Sequence, residues 1–297
     1  MKLIYSATIT PLKDETHVDQ VSLERLLKFN LEMGIKGFFF FGSMGEWALL
    51  NNKMREEILE VGASLLKGKA EIIAGISSTG LNGILENMEK ASKYGVDSYA
   101  VMFPSGWAGP QEPVDYLHHI ADVSDRPLYL YYLPSYNGIS LTKEELQNIL
   151  KHTNIKGIKN SSDSLKKRKE LLNLRKQIDF LLFEGQEWVV DESLFLGCDG
   201  ALVGMGSLAG KLFSQIARAV DEGQFKEASR LQNILIEIFD GIYGKNLTTV
   251  WIGQKYALEL LGLFSTHITL VPSQKELGRE EKKRIENCVE KYREYLT

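Results

Sequence analysis

Cysteine is nearly absent from this 297-residue chain: there are two, Cys198 and Cys288, and neither belongs to a CxxC pair or a metal-ligand pattern. A disulfide framework is therefore not expected, and both read as inert packing thiols in a reducing compartment. Long apolar runs are also missing. None approaches the roughly 20 residues of a membrane helix, and Met1-Lys2-Leu3-Ile4-Tyr5 is too short and too strand-like for a secretory leader. The cytoplasm is the expected location. An excess of one charge is absent too. The formal net charge is -4 and no half is strongly basic, which argues against nucleic acid as a partner. The basic run Lys166-Lys167-Arg168-Lys169, with Glu170 behind it, reads as a solvated helix face. There is no Walker loop and no GxGxxG. His118 and His119 fall mid-helix and are expected to face solvent, while His17, His152 and His267 stand isolated, so no metal, flavin or nicotinamide site is expected. No linker, low-complexity tract or repeat of 20–50 residues interrupts the chain.

What the chain does have is an ordinary globular balance, 44% hydrophobic and 25% charged. Short apolar runs, rich in β-branched and aromatic residues, recur at 3–10, 37–41, 71–76, 98–103, 128–132, 155–159, 180–183 and 201–203. Continuous runs of this kind suit strands buried on both faces. Amphipathic stretches lie between them, at 21–33, 53–66 and 82–94 among others, and Thr142 with Glu145 forms a capping box for a helix over 144–151. Alternating strand and helix with short connections implies a parallel sheet. Eight such strands favour a closed (β/α)8 barrel, an α/β TIM barrel, over an open sheet. After the last strand the pattern becomes purely helical, at 207–222, 225–243, 248–261 and 275–295. The division expected is a catalytic barrel over 1–223 and a three-helix extension over 224–297, packed on the barrel or building an oligomer contact.

One residue carries the most chemical information. Lys159 ends the apolar segment Asn154-Ile155-Lys156-Gly157-Ile158-Lys159, before Asn160-Ser161-Ser162-Asp163, which reads as a polar helix start. A lysine at the end of a buried strand is costly to bury. Tyr131 lies at a similar depth in an earlier strand. Active sites of such barrels gather at the C-terminal strand ends, so Lys159, Tyr131 and Ser43 become neighbours. An amine that attacks a ketone must be neutral, and moving it from about 10.4 to about 7 costs roughly 4–5 kcal/mol. An apolar barrel interior supplies desolvation of that sign. A phenol both donates and accepts protons, as carbinolamine formation and dehydration require. Taken singly, a lysine at a strand-to-helix junction is also an ordinary surface residue, and strand-end tyrosines commonly pack.

Gly42-Ser43-Met44-Gly45-Glu46 follows four phenylalanines. Its glycines allow close backbone approach and its successive N–H groups suit an anion, although a tight βα turn needs the same residues. Glu46 reads as a structural acceptor pinning the loop. Gly204-Met205-Gly206-Ser207, with Asp199-Gly200, offers flexible backbone at the same mouth and a helix start for a carboxylate or phosphate, or a barrel closure needing small residues.

Together these residues resemble the pyruvate-dependent class I aldolase superfamily, which includes N-acetylneuraminate lyase, dihydrodipicolinate synthase and the 2-keto-3-deoxy sugar-acid aldolases. The similarity runs in order through Thr8-Ile9-Thr10-Pro11, the loop 42–46, Tyr131-Tyr132-Leu133-Pro134, Gly157-Ile158-Lys159 and Gly197-Cys198-Asp199-Gly200-Ala201. It implies a (β/α)8 barrel with three C-terminal helices, usually a homotetramer. It also implies a Schiff base on Lys159, a proton relay at Tyr131, and a pyruvate carboxylate held by Ser43 and the Met44 amide. The covalent lysine–pyruvate adduct replaces any cofactor. Ser161, Glu187, Leu202 and Tyr136 complete the implied substrate pocket. Departures bear on the substrate. Met44 replaces a hydroxyl residue, and Tyr136 stands where the synthase branch places an arginine. Pro104-Ser105-Gly106-Trp107 lacks that branch's tyrosine, and Trp188 replaces an acid of the sialic-acid branch. The expected activity is a lyase joining pyruvate to an aldehyde, in a 2-keto-3-deoxy sugar acid or an N-acetylneuraminate-like substrate. A divergent dihydrodipicolinate synthase, a 2-keto-3-deoxy-acid dehydratase and a non-catalytic sugar-acid-binding barrel are the alternatives.

Overall fold

The computed structural model describes residues 1–106 and 112–297. The chain alternates β1 (Leu3–Ala7), α1 (Gln20–Glu32), β2 (Gly37–Phe40), α2 (Asn52–Leu66), β3 (Glu71–Gly75), α3 (Leu81–Ser92), β4 (Ser98–Val101), α4 (Pro113–Val123) and β5 (Leu128–Tyr132). It continues through α5 (Pro134–Asn137), α6 (Lys143–Leu150), β6 (Ile155–Asn160), α7 (Leu165–Leu174), β7 (Leu181–Glu184), α8 (Val190–Leu196), β8 (Gly200–Val203) and α9 (Gly206–Asp221). Then come α10 (Phe225–Tyr243), α11 (Val250–Leu260), α12 (Arg279–Lys291) and α13 (Arg293–Leu296). The eight strands pair in sequence order, all parallel, and β8 returns to β1 to close the barrel. Every expected strand is present, displaced by a few residues at most.

The phenylalanine run shows why these segments are strands. Phe38 and Phe40 point outward into the shell beneath the helices, and Phe39 points into the barrel. Both faces of β2 are therefore dry, as continuous apolar sequence requires, and each buried ring contributes roughly 1.5–3 kcal/mol. The barrel interior is filled by Tyr5, Phe39, Ile73, Tyr129, Phe183 and Leu202 with smaller neighbours. At its base the Glu71 carboxylate accepts from Tyr5, Ser98, Tyr129 and Lys156. Burial opposes charge on Glu71, but the hydrogen bonds from Lys156 and Ser98 outweigh it and hold the carboxyl below its usual range. The Thr142 capping box is formed, with Glu145 N–H donating to Thr142 Oγ1 at 3.1 Å and Thr142 N–H to Glu145 Oε2 at 2.7 Å.

Four expectations need correction. Asn160 to Asp163 is not a helix start: β6 runs on through Asn160, Asp163 takes φ 50°, and α7 begins at Leu165 with Ser164 as its cap. Arg168 is not solvated, because its Nε donates to Glu184 at 2.6 Å with both side chains buried. The final long helix begins at Arg279, not near 275, and the Glu281 carboxylate accepts the Gly278 N–H at its start at 2.8 Å. Asp199 and Gly200 open β8 at the base of the barrel, where Leu3 N–H donates to Asp199, and so lie at the opposite end from the mouth. Both cysteines are buried, and desolvation pushes Cys198 up to about 12 and Cys288 up to about 11. His119 is exposed, but His118 and His152 stack 5.0 Å apart, with His152 facing Asp122.

Candidate active site

Strand pairing sets the first relationship. In the β5–β6 ladder Tyr131 is the partner of Lys159. The backbone itself thus brings phenol and amine to one depth near the C-terminal edge. Lys159 is only 5% exposed. Its Nζ sits 4.0 Å from the centroid of the Tyr131 ring and 5.5 Å from that of Phe39. Phe39 and Tyr131 meet edge to face at 5.8 Å, which holds the tyrosine ring in place. The Tyr131 hydroxyl shares a hydrogen bond with Ser43 Oγ at 3.3 Å. Amine, phenol and serine hydroxyl, contributed by three separate strand ends, therefore form one contiguous set.

The loop carrying Ser43 is fixed from outside the barrel. Phe41 and Glu46 bracket it in left-handed backbone, φ 62° and 58°, a conformation that costs energy unless the surroundings impose it. Thr10 donates to Gly45 O at 2.9 Å, and the Trp251 indole N–H donates to Ser43 O at 2.9 Å. Glu46 accepts from Lys255 of α11, from the Thr269 hydroxyl at 2.8 Å and from the Leu270 amide. The Glu46–Lys255 pair is fully buried, and burial pushes the Lys255 amine down while Glu46 opposes that shift. Glu46 is thus the structural acceptor expected, and its cationic partner is one that sequence inspection missed.

At the ends of β7 and β8 a carboxyl of the protein already occupies the glycine-rich turn. Glu187 Oε1 accepts the Gly204 and Met205 amides at 2.7 and 3.2 Å. Burial pushes the Glu187 carboxyl up, and the nearby Lys159 together with those amides partly offsets this. Gly204 has no room for a Cβ, which would meet Met44 Cγ at 2.5 Å. Ser161 Oγ is buried without a hydrogen-bond partner, and a Cβ on Gly185 would come within 2.0 Å of it.

A cavity of about 240 Å³ opens over these groups, reached by Ser43, Met44, Tyr131, Lys159, Ser161 and Glu187. Two residues expected in the pocket do not line it. Leu202 is 1% exposed and belongs to the interior layer of the barrel. Tyr136 is 46% exposed on the one-turn helix α5, which Pro134 opens. The Trp107 position lies outside the described residues. Conversely, Phe239, Tyr243, Leu247, Val250 and Trp251 line the cavity from the C-terminal helices. Sequence reading assigned those helices to packing; the signal available was Phe239 and Tyr243 at i,i+4, with a further aromatic at Trp251. Among the described residues no group of acidic, histidine or cysteine side chains is arranged for a metal, and no helix is long and apolar enough to cross a membrane.

A closed (β/α)8 barrel with a buried lysine and a paired tyrosine at the strand ends has the parts that Schiff-base chemistry needs. Comparison with known proteins narrows this. Residues 1–292 match the dihydrodipicolinate synthetase family, and the chain belongs to it. N-acetylneuraminate lyase of Escherichia fergusonii is 26% identical over 271 residues, covering 91% of this chain and 90% of that protein. The structure of dihydrodipicolinate synthase from Bacteroides thetaiotaomicron superposes with a TM-score of 0.90 at 24% identity, covering 98% of both chains. That of CdNal from Clostridium difficile, in complex with mannosamine, does so at 0.88 and 23%, covering 99% of both. Members of the family are pyruvate-dependent lyases of the lysine Schiff-base type.

Proposed function

We propose that this chain cleaves a 4-hydroxy-2-oxo acid into pyruvate and an aldehyde, or forms it from them, through a Schiff base on Lys159. The observation that carries the reading is the buried Lys159, register-paired with a Tyr131 that Ser43 holds at the floor of a cavity. In cleavage the amine adds to the C2 carbonyl and water leaves, giving an iminium. The C3–C4 bond then breaks and its electron pair enters the iminium to form an enamine. The C4 hydroxyl loses its proton and becomes the aldehyde. Protonation at C3 and addition of water at C2 release pyruvate and the free amine, returning the water lost at the start. Tyr131 carries protons in these steps, since a phenol both donates and accepts. Ser43 and the Met44 amide hold the pyruvate carboxylate. Ser161 and Glu187 face the part of the substrate beyond C3.

The iminium is itself the electron sink, so the reading calls for no metal or organic cofactor. It carries the family's homotetramer as the assembly, which light scattering measures, and the cytoplasm as the compartment. A pyruvate-release assay coupled to lactate dehydrogenase tests the activity. Release by the wild-type chain, lost in Lys159→Ala, supports a lyase. A 2-keto-3-deoxy acid consumed without pyruvate release would replace it with a dehydratase.

A further inference from the structure

The floor and the roof of the cavity differ in chemistry. The floor, built from strand ends and from the start of the turn after β7, holds the polar groups: Lys159, Tyr131, Ser43, Ser161, Gln186 and Glu187. The roof, built from Trp188 of that turn, from α10 and α11 and from the short turn between them, presents Trp188, Phe239, Tyr243, Leu247, Val250 and Trp251. Three of these carry a polar atom, and each is already engaged with the protein. Trp188 Nε1 donates to Asp163 at 3.2 Å and Trp251 Nε1 to Ser43 O at 2.9 Å. The Tyr243 hydroxyl donates to Gln254. What they offer a ligand is ring faces and edges. The rings also support each other, with Trp188 and Phe239 edge to face at 5.7 Å and Phe239 and Tyr243 at 4.7 Å. Such a preassembled aromatic wall needs little reordering to accept another ring.

We infer that the aldehyde partner of this enzyme is apolar beyond its carbonyl, an aryl or compact hydrocarbon aldehyde whose substituent packs against Trp188 and Phe239. The inference rests on the Schiff-base reading above and departs from the sugar-derived acceptor that the family resemblance implies. A polyhydroxylated chain entering the roof would exchange water for ring surfaces, and hydroxyls desolvated without partners are costly. The polar floor still suits a reacting centre: Ser161 Oγ is buried without a hydrogen-bond partner, and Ser161 and Glu187 line the same cavity as Lys159.

The test runs the full-length enzyme in the condensation direction with pyruvate, offering benzaldehyde against erythrose, with borohydride trapping of pyruvate as a parallel arm. Expected is a pyruvate adduct on Lys159 and a kcat/KM for benzaldehyde at least roughly tenfold that for erythrose. Trp188→Ala should lower kcat/KM for benzaldehyde by roughly tenfold through KM, leaving the pyruvate KM in place, and Phe239→Leu should retain most of the activity. An adduct with erythrose preferred, or an adduct with neither aldehyde condensed, overturns the apolar acceptor while the Schiff base stands. No adduct overturns both.

Discussion

Tyr131 and Lys159 are register partners across β5 and β6, and the lysine Nζ lies 4.0 Å from the centroid of the tyrosine ring. The relationship is made by backbone hydrogen bonds, so it survives changes to either side chain. Tyr131→Phe keeps the ring over Lys159 and its edge contact with Phe39 while deleting the hydroxyl that meets Ser43. Turnover should fall by roughly 10²–10⁴-fold, the usual reach of a positioned proton donor, with pyruvate still trapped by borohydride. Steady-state rates measure the first and mass spectrometry the second. An unchanged rate removes Tyr131 from proton transfer.

Lys255 and Glu46 should behave as a unit. Lys255→Met leaves a buried carboxylate without its cation and is expected to cost roughly 3–5 kcal/mol. The double variant Glu46→Gln/Lys255→Met should lose less than the single one. Because Glu46 pins the loop that bears Ser43, the single variant should also raise the KM for pyruvate. Denaturant unfolding and initial rates check both. With Glu46→Gln measured alone as well, a double-variant loss equal to the sum of the two single losses would mean the pair is not coupled.

Glu71 gives the barrel base a pH dependence of defined sign. Its carboxyl is held below the usual range in the folded chain. Its contribution is therefore complete above the ordinary glutamate value of about 4.3 and is lost as pH falls through the lower folded value. Glu71→Gln removes the charge seen by Lys156 and should lower Tm at pH 7. The gap from wild type should narrow steadily on acidification towards pH 3. A gap independent of pH would show that the ionised form is not what the network holds.

Gly200 closes the barrel. A Cβ there would meet the carbonyl oxygen of its ladder partner Leu3 at 2.0 Å, and backbone cannot move aside as a side chain can. Gly200→Ala should destabilise by roughly 1–3 kcal/mol or more, visible as a lower Tm. A Tm within a degree or so of wild type would mean that the β1–β8 seam is looser than it is drawn.

The strands were legible because burial on both faces leaves continuous apolar sequence, and Phe38 to Phe41 admits little else. Helix boundaries were legible where a local cap marks them, as at Thr142, and were missed at 160–163, where Asn160 extends β6 and the residues after it form a loop before Leu165. Arg168 and Lys255 were not legible as buried cations, since their partners Glu184 and Glu46 are brought in only by the fold. The turn at Gly204 has the composition of an anion site, as read; only the structure shows that Glu187 fills it. Lys159, Tyr131 and Ser43 followed from strand order and depth, whereas Ser161 and Glu187 came only through the family resemblance. The roof followed from neither, because the same aromatics on α10 and α11 serve equally well as packing until the helices are placed over the mouth.

The most direct measurement is borohydride reduction of the wild-type enzyme with pyruvate at neutral pH, followed by intact mass and peptide mapping. A single reduced pyruvate adduct on Lys159, absent from Lys159→Ala, is the expected result. An adduct on another lysine, or none on a folded enzyme, would contradict a Schiff base at this site.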